Sequence, residues 1–136
     1  MADIVSLERR SEIMSGIRAK GTKPEMAVRR LVHSIGYRYR LHRSDLPGTP
    51  DMVFPSRRKV IFVHGCFWHQ HLGCKKSGIP KSNQDYWTPK LARNAERDRE
   101  HRFQLQEMGW DVLVVWECSI RSREYVATAI RRFLDP

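Results

Sequence analysis

From Thr22 onward the chain switches several times between a helical and an extended hydrophobic period. Val28, Leu31, Val32 and Ile35 recur at helical spacing, and Thr22 with Glu25 forms a capping box ahead of them, with Pro24 tolerated in the first turn. Gly36 stops that helix. Tyr37, Tyr39 and Leu41 then alternate with Arg38, Arg40 and His42, which predicts a half-buried strand. The turn-forming run LPGTP at 46–50 leads into a short strand, Asp51–Phe54, and Pro55–Arg58 turns it into Lys59–His64. The latter run is apolar on both faces and reads as a central strand. Residues 65–87 show no period. Thr88-Pro89 opens a long helix that ends at Gly109, Trp110–Trp116 reads as a second doubly buried strand, and Ser122 caps a last helix with Val126, Ala129, Ile130 and Phe133 toward the core. Ahead of all this, residues 7–20 read as a short basic helix or arm with Ile13, Met14 and Ile17 as its apolar points.

The order is therefore α-β-β-β-α-β-α. Three meandering strands followed by a helical crossover give a mixed α/β sheet flanked by helices, with the last strand parallel to a central one. In that topology His64–Cys66 and Glu117–Cys118 leave neighbouring strands at the same end. The 136 residues suit a single domain, 1–136, in which residues 1–21 form the basic arm.

Charge changes the picture more than composition does. The net charge is +10, and residues 1–44 carry ten basic and four acidic side chains, residues 45–90 seven and three, and residues 91–136 eight of each. A surplus confined to the first ninety residues is the footprint expected for a nucleic-acid backbone, although many basic proteins bind none. No run approaches the roughly eighteen apolar residues of a membrane span, and MADIVSLERR lacks the apolar stretch of a signal peptide. Three cysteines cannot close a disulfide set, so reduced thiols and a cytoplasmic setting are expected, with no membrane partner.

All three cysteines converge on the strand ends. Cys66, His71 and Cys74, joined by Cys118 from the other strand, offer three thiolates and one imidazole, a closed structural zinc set. A stretch of this length without periodicity needs something to order it. The plainer alternative makes each cysteine a small buried hydrophobe and His71 a surface residue. His64 and His69 stay outside the set and are open to other chemistry.

Asp51 starts a strand just after Pro50, and His64 ends the strand paired with it, so both approach the end that carries the cysteines. Asp51 is the best candidate for a magnesium ligand, because Mg2+ takes few carboxylates and completes its shell with water and phosphate. Glu25 is either a helix cap alone or a second acid at that site. On the long helix, Leu91, Ala95, Asp98, Arg102 and Leu105 share one stripe at about 100° per residue. A carboxylate there needs a partner. Arg102, four residues on, and His69, whose imidazole it would orient, are equally available by spacing. Phe67 and Trp68 lie on a segment too polar to be core. They either cover the sheet end or form a wedge that unstacks base pairs, and Met14 of the basic arm could reach the same helix from the other side.

The motifs TKPE, LPGTPDMVF, VIFVHGCFWHQH, NAERDRE and GWDVLVVWEC together resemble the very short patch repair (Vsr) DNA mismatch endonucleases, from about Arg10 to the last helix. The resemblance implies a restriction-endonuclease-like core and a Mg2+-dependent enzyme that nicks double-stranded DNA 5′ to the T of a T:G mismatch left by 5-methylcytosine deamination. It further implies Asp51 as the metal carboxylate and Val63 as a main-chain oxygen ligand. His64 lines that site, His69 with Asp98 forms the acid/base pair, and Glu25 acts near the metal. By the same resemblance Phe67, Trp68 and Met14 intercalate, and Cys66, His71, Cys74 and Cys118 hold structural Zn2+. A monomer working with mismatch-repair proteins and a repair polymerase on nucleoid DNA is implied as well.

Two departures temper the match. The wider nuclease superfamily ends this strand with an acid and a lysine, where Phe62 and His64 stand here, so a second ion is not assured. A chain that stops at Pro136 also leads us to expect a flanking-sequence preference of its own wherever relatives read bases with a longer tail. The alternatives are a zinc-stabilised DNA-binding module without catalysis, a nuclease of the same fold with another DNA substrate, and a redox or metal-storage role for the thiols.

Overall fold

The computed structural model describes residues 21–136. The predicted arm at 1–21, all but its last residue, and with it Met14, lies outside the described residues. Helix α1 spans Lys23–Ser34, followed by strands β1 (Arg40–Leu41), β2 (Met52–Phe54) and β3 (Lys59–His64). The long helix α2 covers Gln84–Glu107, then come β4 (Asp111–Trp116) and α3 (Arg123–Leu134). The strands form one sheet in the order β1-β2-β3-β4. The first two pairings are antiparallel, and β3 runs parallel to β4 over six residue pairs, from Lys59 opposite Asp111 to His64 opposite Trp116.

Strand alternation sorts side chains between two cores. Met52, Phe54 and Ile61 point toward α1 and α3, where Val28, Leu31, Val32, Val126 and Ile130 meet them. Val53, Val60 and Phe62 point the other way and pack with Leu46, Leu105 and Trp110 under α2. The result is three layers, with two helices on one face and the long helix on the other. Since Phe62 faces α2, His64, two residues on, does too. Asp51 shares the face of Val53 by the same rule.

The structure corrects several boundaries. The alternating run from Tyr37 to His42 yields only a two-residue strand, paired with a β2 that is itself three residues long, while Tyr37 Oη donates to Asp135 at 2.6 Å and Tyr39 Oη to the Arg29 carbonyl at 3.2 Å. Helix α2 begins at Gln84, ahead of Thr88, with Pro89 inside it and Asn83 in the left-handed region just before it. Pro89, the sixth helical residue, lacks the N–H that would bond the Asp85 carbonyl four residues back, so the helix forgoes one main-chain hydrogen bond there.

Strand β4 is not doubly buried. Val115 is buried, whereas Val112, Leu113 and Val114 are half-buried, because β4 is the edge of the sheet and has a neighbour on one side only. Ser122 precedes α3 without a side-chain capping bond. Ala127 and Leu134, rather than Ala129 and Phe133, join Val126 and Ile130 in full burial, while Phe133 packs at the margin. Among the described residues no helix is long and apolar enough to cross a membrane.

Candidate active site and metal centre

The parallel pairing carries β3 and β4 to the same edge, and the chemistry gathers there. Past His64 the chain turns through Gly65–Gln70, with the His69 N–H donating to the Gly65 carbonyl and the His71 N–H to the Cys66 carbonyl. These turns bring Cys66, His71 and Cys74 to Cys118, which follows β4, and the four donor atoms lie within 4.8 Å of one another. His71 Nδ1 is 3.7 Å from Cys66 Sγ and 3.5 Å from Cys118 Sγ. Its ring stacks on Trp116 with centroids 4.1 Å apart and planes 9° apart, so the last residue of β4 holds the plane of the ring whose Nδ1 faces the sulfurs. Burial pushes the Cys66 thiol up to about 12, and the Cys118 and Cys74 thiols add to the rise. Cys74 moves the other way, lowered first by a hydrogen bond from the Lys76 main chain. Packed thiols with no opposite charge resist ionisation, and a cation among them removes that resistance. These four side chains form a set able to hold a metal ion.

His69 and Asp98 meet on the α2 side. His69 Nδ1 is 2.5 Å from Asp98 Oδ2, which settles the choice of partner that helix spacing left open between His69 and Arg102. With Nδ1–H donated to the carboxylate, Nε2 is the lone-pair nitrogen. The His64 ring lies flat against that of His69, with centroids 3.8 Å apart and planes 4° apart. Burial, helped by the neighbouring His69, lowers the His64 pKa to about 3, so His64 is neutral at pH 7. A neutral ring can stack on a neighbour that takes up a proton without repelling it by a full charge.

Asp51 sits at the start of β2, and its Oδ2 accepts the Val63 N–H at 2.7 Å, tying it across the sheet to β3. Burial raises its pKa to about 7, opposed by that hydrogen bond and reinforced by the Glu25 carboxylate. Glu25 is buried, with 3% of its side chain exposed. As a cap it receives the Gly21 N–H on Oε1 at 3.0 Å, while Thr22 Oγ1 accepts the Glu25 N–H at 3.4 Å. Its carboxylate also belongs to a second cluster, Glu25, His42 and Asp51, whose donor atoms lie within 4.8 Å of one another. A single cleft of about 430 Å3 has Asp51, Val63, His64, His69 and Asp98 in its lining, and His42, His101 and Arg102 are among the other residues of its wall.

Phe67 and Trp68 are half-buried rather than free in solvent. They form an edge-to-face group with Trp87 of α2, with ring centroids 5.2, 5.5 and 5.9 Å apart. Polarity of the surrounding segment had suggested that no core was available to them; Trp87 and Tyr86 supply one. Three further participants lie outside the expected set. Asn94, buried on α2, donates to the Trp68 carbonyl at 3.4 Å, one turn before Asp98 holds His69. His42 reaches Glu25 at 2.8 Å. Gly48, with φ +76°, lets the 46–50 loop close on α2, since a Cβ there would stand 2.9 Å from His101 Nδ1. For Asn94 and Gly48 the sequence carries a signal, a polar residue on the apolar stripe of α2 and a glycine in a proline-rich turn; for His42 it carries none.

Known proteins are similar to this chain in sequence. The family model for DNA mismatch endonuclease Vsr matches residues 2–76. The chain is 54% identical over 136 residues to type II nicking enzyme V.XorIIP of Xanthomonas oryzae pv. oryzae, covering 100% of this chain and 99% of that protein. It is 42% identical over 124 residues to DNA mismatch endonuclease Vsr of Escherichia coli K12, covering 91% and 79%. Type II nicking enzyme V.NmeAIP of Neisseria meningitidis is 40% identical over 134 residues, covering 98% and 95%.

The raised Asp51 pKa has a measurable consequence. A carboxyl that titrates higher in the folded than in the unfolded chain keeps a proton that unfolding releases, so its contribution favours folding at low pH and is lost as pH rises from about 4 to about 7. Asp51→Asn removes that loss. In urea unfolding without added divalent cations, the variant gains on the wild type by an amount approaching about 4 kcal/mol between those limits. His64 is present in both proteins and cancels. A stability difference independent of pH would contradict the burial of an unneutralised Asp51.

Proposed function

The chain belongs to the Vsr family of DNA mismatch endonucleases, and from that premise we propose that it nicks double-stranded DNA 5′ to the T of a T:G mismatch, the product of 5-methylcytosine deamination. It is an endonuclease with DNA as its substrate. The observation that carries the finer reading is the single cleft in which Asp51 and the hydrogen-bonded His69–Asp98 pair face one space. A binding module has no use for a carboxylate-held imidazole beside a second carboxylate. Phosphodiester hydrolysis needs both, one to take the proton of the attacking water and one to hold the ion that neutralises the phosphate.

Asp51, with the Val63 main-chain oxygen, would hold Mg2+, which when bound polarises the phosphate and stabilises the leaving oxygen. His69 Nε2 takes the proton from water while Asp98 keeps the ring in the required tautomer and stabilises the imidazolium. His64 keeps the His69 ring in plane, and Glu25 adds negative charge beside Asp51. The basic surplus of residues 1–90 neutralises the DNA backbone, so binding weakens steeply with salt.

Phe67 and Trp68 directly precede His69. Their entry between base pairs would therefore place the reacting strand by the acid/base pair, and the wobble pair would give way at a lower unstacking cost than a matched one. Met14 is proposed to enter from the other side. The chain is proposed to act as one endonuclease domain and as a monomer on nucleoid DNA, handing its nick to mismatch-repair proteins and a repair polymerase.

The donor chemistry at the strand ends supports zinc. Tetrahedral Zn–S and Zn–N bonds of about 2.3 and 2.05 Å imply sulfur–nitrogen separations of about 3.6 Å, and those from His71 to Cys66 and Cys118 are 3.7 and 3.5 Å. Zinc here is a structural ion that holds Phe67–His69 against the sheet. Cys118→Ser is expected to lower the bound zinc, measured by mass spectrometry, from one equivalent to a small fraction and to lower the melting temperature. One full equivalent retained after the change would remove Cys118 from the site.

The function itself is tested by single-turnover nicking of a labelled duplex with one T:G pair, beside a matched T:A duplex, in Mg2+ or EDTA. The expected product is a nick on the T strand only, with Mg2+ only, and absent with Asp51→Ala. Equal cutting of both duplexes would keep the nuclease and discard the mismatch. Binding without cutting in any flanking context would favour the binding module.

A further inference from the structure

We infer that His42 is a positioning residue that aims the Glu25 carboxylate at the divalent ion held by Asp51. This inference rests on the Asp51 metal-site reading above.

A helix cap accounts for only part of what surrounds Glu25. The cap uses Oε1, which takes the Gly21 N–H. Oε2 is left over, and it meets His42 Nε2 at 2.8 Å, with Arg29 more distant at 3.7 Å. A carboxylate offers only lone pairs, so the imidazole donates. The same nitrogen lies 3.8 Å from Asp51 Oδ1, so one N–H stands between carboxylates that come from the start of α1 and the start of β2.

A turn in the backbone brings His42 to this place. It follows the two-residue strand β1 with φ +45°, in the left-handed region, which is uncommon for residues other than glycine but which histidine enters more readily than most. The turn ends the strand alternation and leaves the imidazole within hydrogen-bond distance of the buried Glu25 carboxylate. With 12% of its side chain exposed, the ring is enclosed rather than resting on the surface.

The chemistry of the ion decides the role. Mg2+ binds oxygen and seldom takes an imidazole nitrogen, so His42 belongs outside the ion's own ligands. From there it fixes the rotation of Glu25, leaving that carboxylate turned toward Asp51 and able to hold a water of the ion. Donors that orient an acid beside a metal typically contribute about 10- to 100-fold in metal affinity.

Direct ion binding tests this without DNA. Zinc-loaded full-length protein is titrated with Mn2+, followed by electron paramagnetic resonance, and with Mg2+ by calorimetry, for wild type, His42→Ala, His42→Gln and Asp51→Ala. Circular dichroism and melting temperature show which variants are folded. The expected result is a site lost in Asp51→Ala, weakened about 10- to 100-fold in His42→Ala, and largely restored in His42→Gln, which keeps an N–H donor. Unchanged affinity in folded His42→Ala would overturn the proposal, as would His42→Gln binding no better than His42→Ala. Ion binding that survives Asp51→Ala would instead remove the Asp51 site on which the role of His42 depends, and is recognised by the variant in which it occurs.

Discussion

The parallel pairing of β3 with β4 is the constraint on which the rest depends. An antiparallel neighbour would send Glu117–Cys118 to the opposite edge of the sheet and leave Cys66, His71 and Cys74 one ligand short. In register, His64 lies opposite Trp116, and the chain leaves both strands within two residues of those positions. The edge therefore collects, on one side, a Cys/His set able to hold a metal ion and, on the other, an imidazole pair. Holding this register requires the long helix α2 as the crossover, and the same helix supplies Asp98, Asn94 and Trp87 to the segment between. Crossover and active-site wall are one element.

Alternation along β3 then divides the labour. Ile61 faces α1 and α3 and is core, whereas Phe62 and His64 face α2. Phe62 closes the second core and His64, one step further, stacks on His69 at the mouth of the cleft. A shift of one residue in register would turn His64 toward the aliphatic α1/α3 core, away from His69, and turn Ile61 toward α2. The irregular segment after His64 has little apolar content of its own. It is held by the Cys/His set at one end and by hydrogen bonds to successive turns of α2 at the other.

Much of this was legible in the sequence because the periods are clean where burial is complete. The order of elements, the central place of β3 and the parallel β4 all follow from runs such as KVIFVH and from the helical stripe of α2. The cysteines could be grouped because topology alone brings 66 and 118 together. Where burial is partial, the pattern misleads. Tyr37 and Tyr39 alternate like strand residues yet serve Asp135 and Arg29 through their hydroxyls. Val112, Leu113 and Val114 are as apolar as a central strand, but the sheet ends there.

The site residues with strong chemical types, Asp51, His69 and Asp98, stand out from spacing. His42 does not, because its side chain alternates with Tyr39 and Leu41 as a surface position would. Only the left-handed turn at the end of β1 swings it toward Glu25, and no period encodes that turn.

The central claim is that His69 and Asp98 act as one catalytic unit in the cleft they share with Asp51. A double-mutant cycle measures it most directly: single-turnover nicking of a T:G duplex by wild type, His69→Ala, Asp98→Ala and the double variant. The expected result is a loss of about 10²- to 10⁴-fold for His69→Ala, and no further loss when Asp98 is also replaced, because the carboxylate works only through the imidazole. Losses that multiply in the double variant would show two independent groups and contradict it.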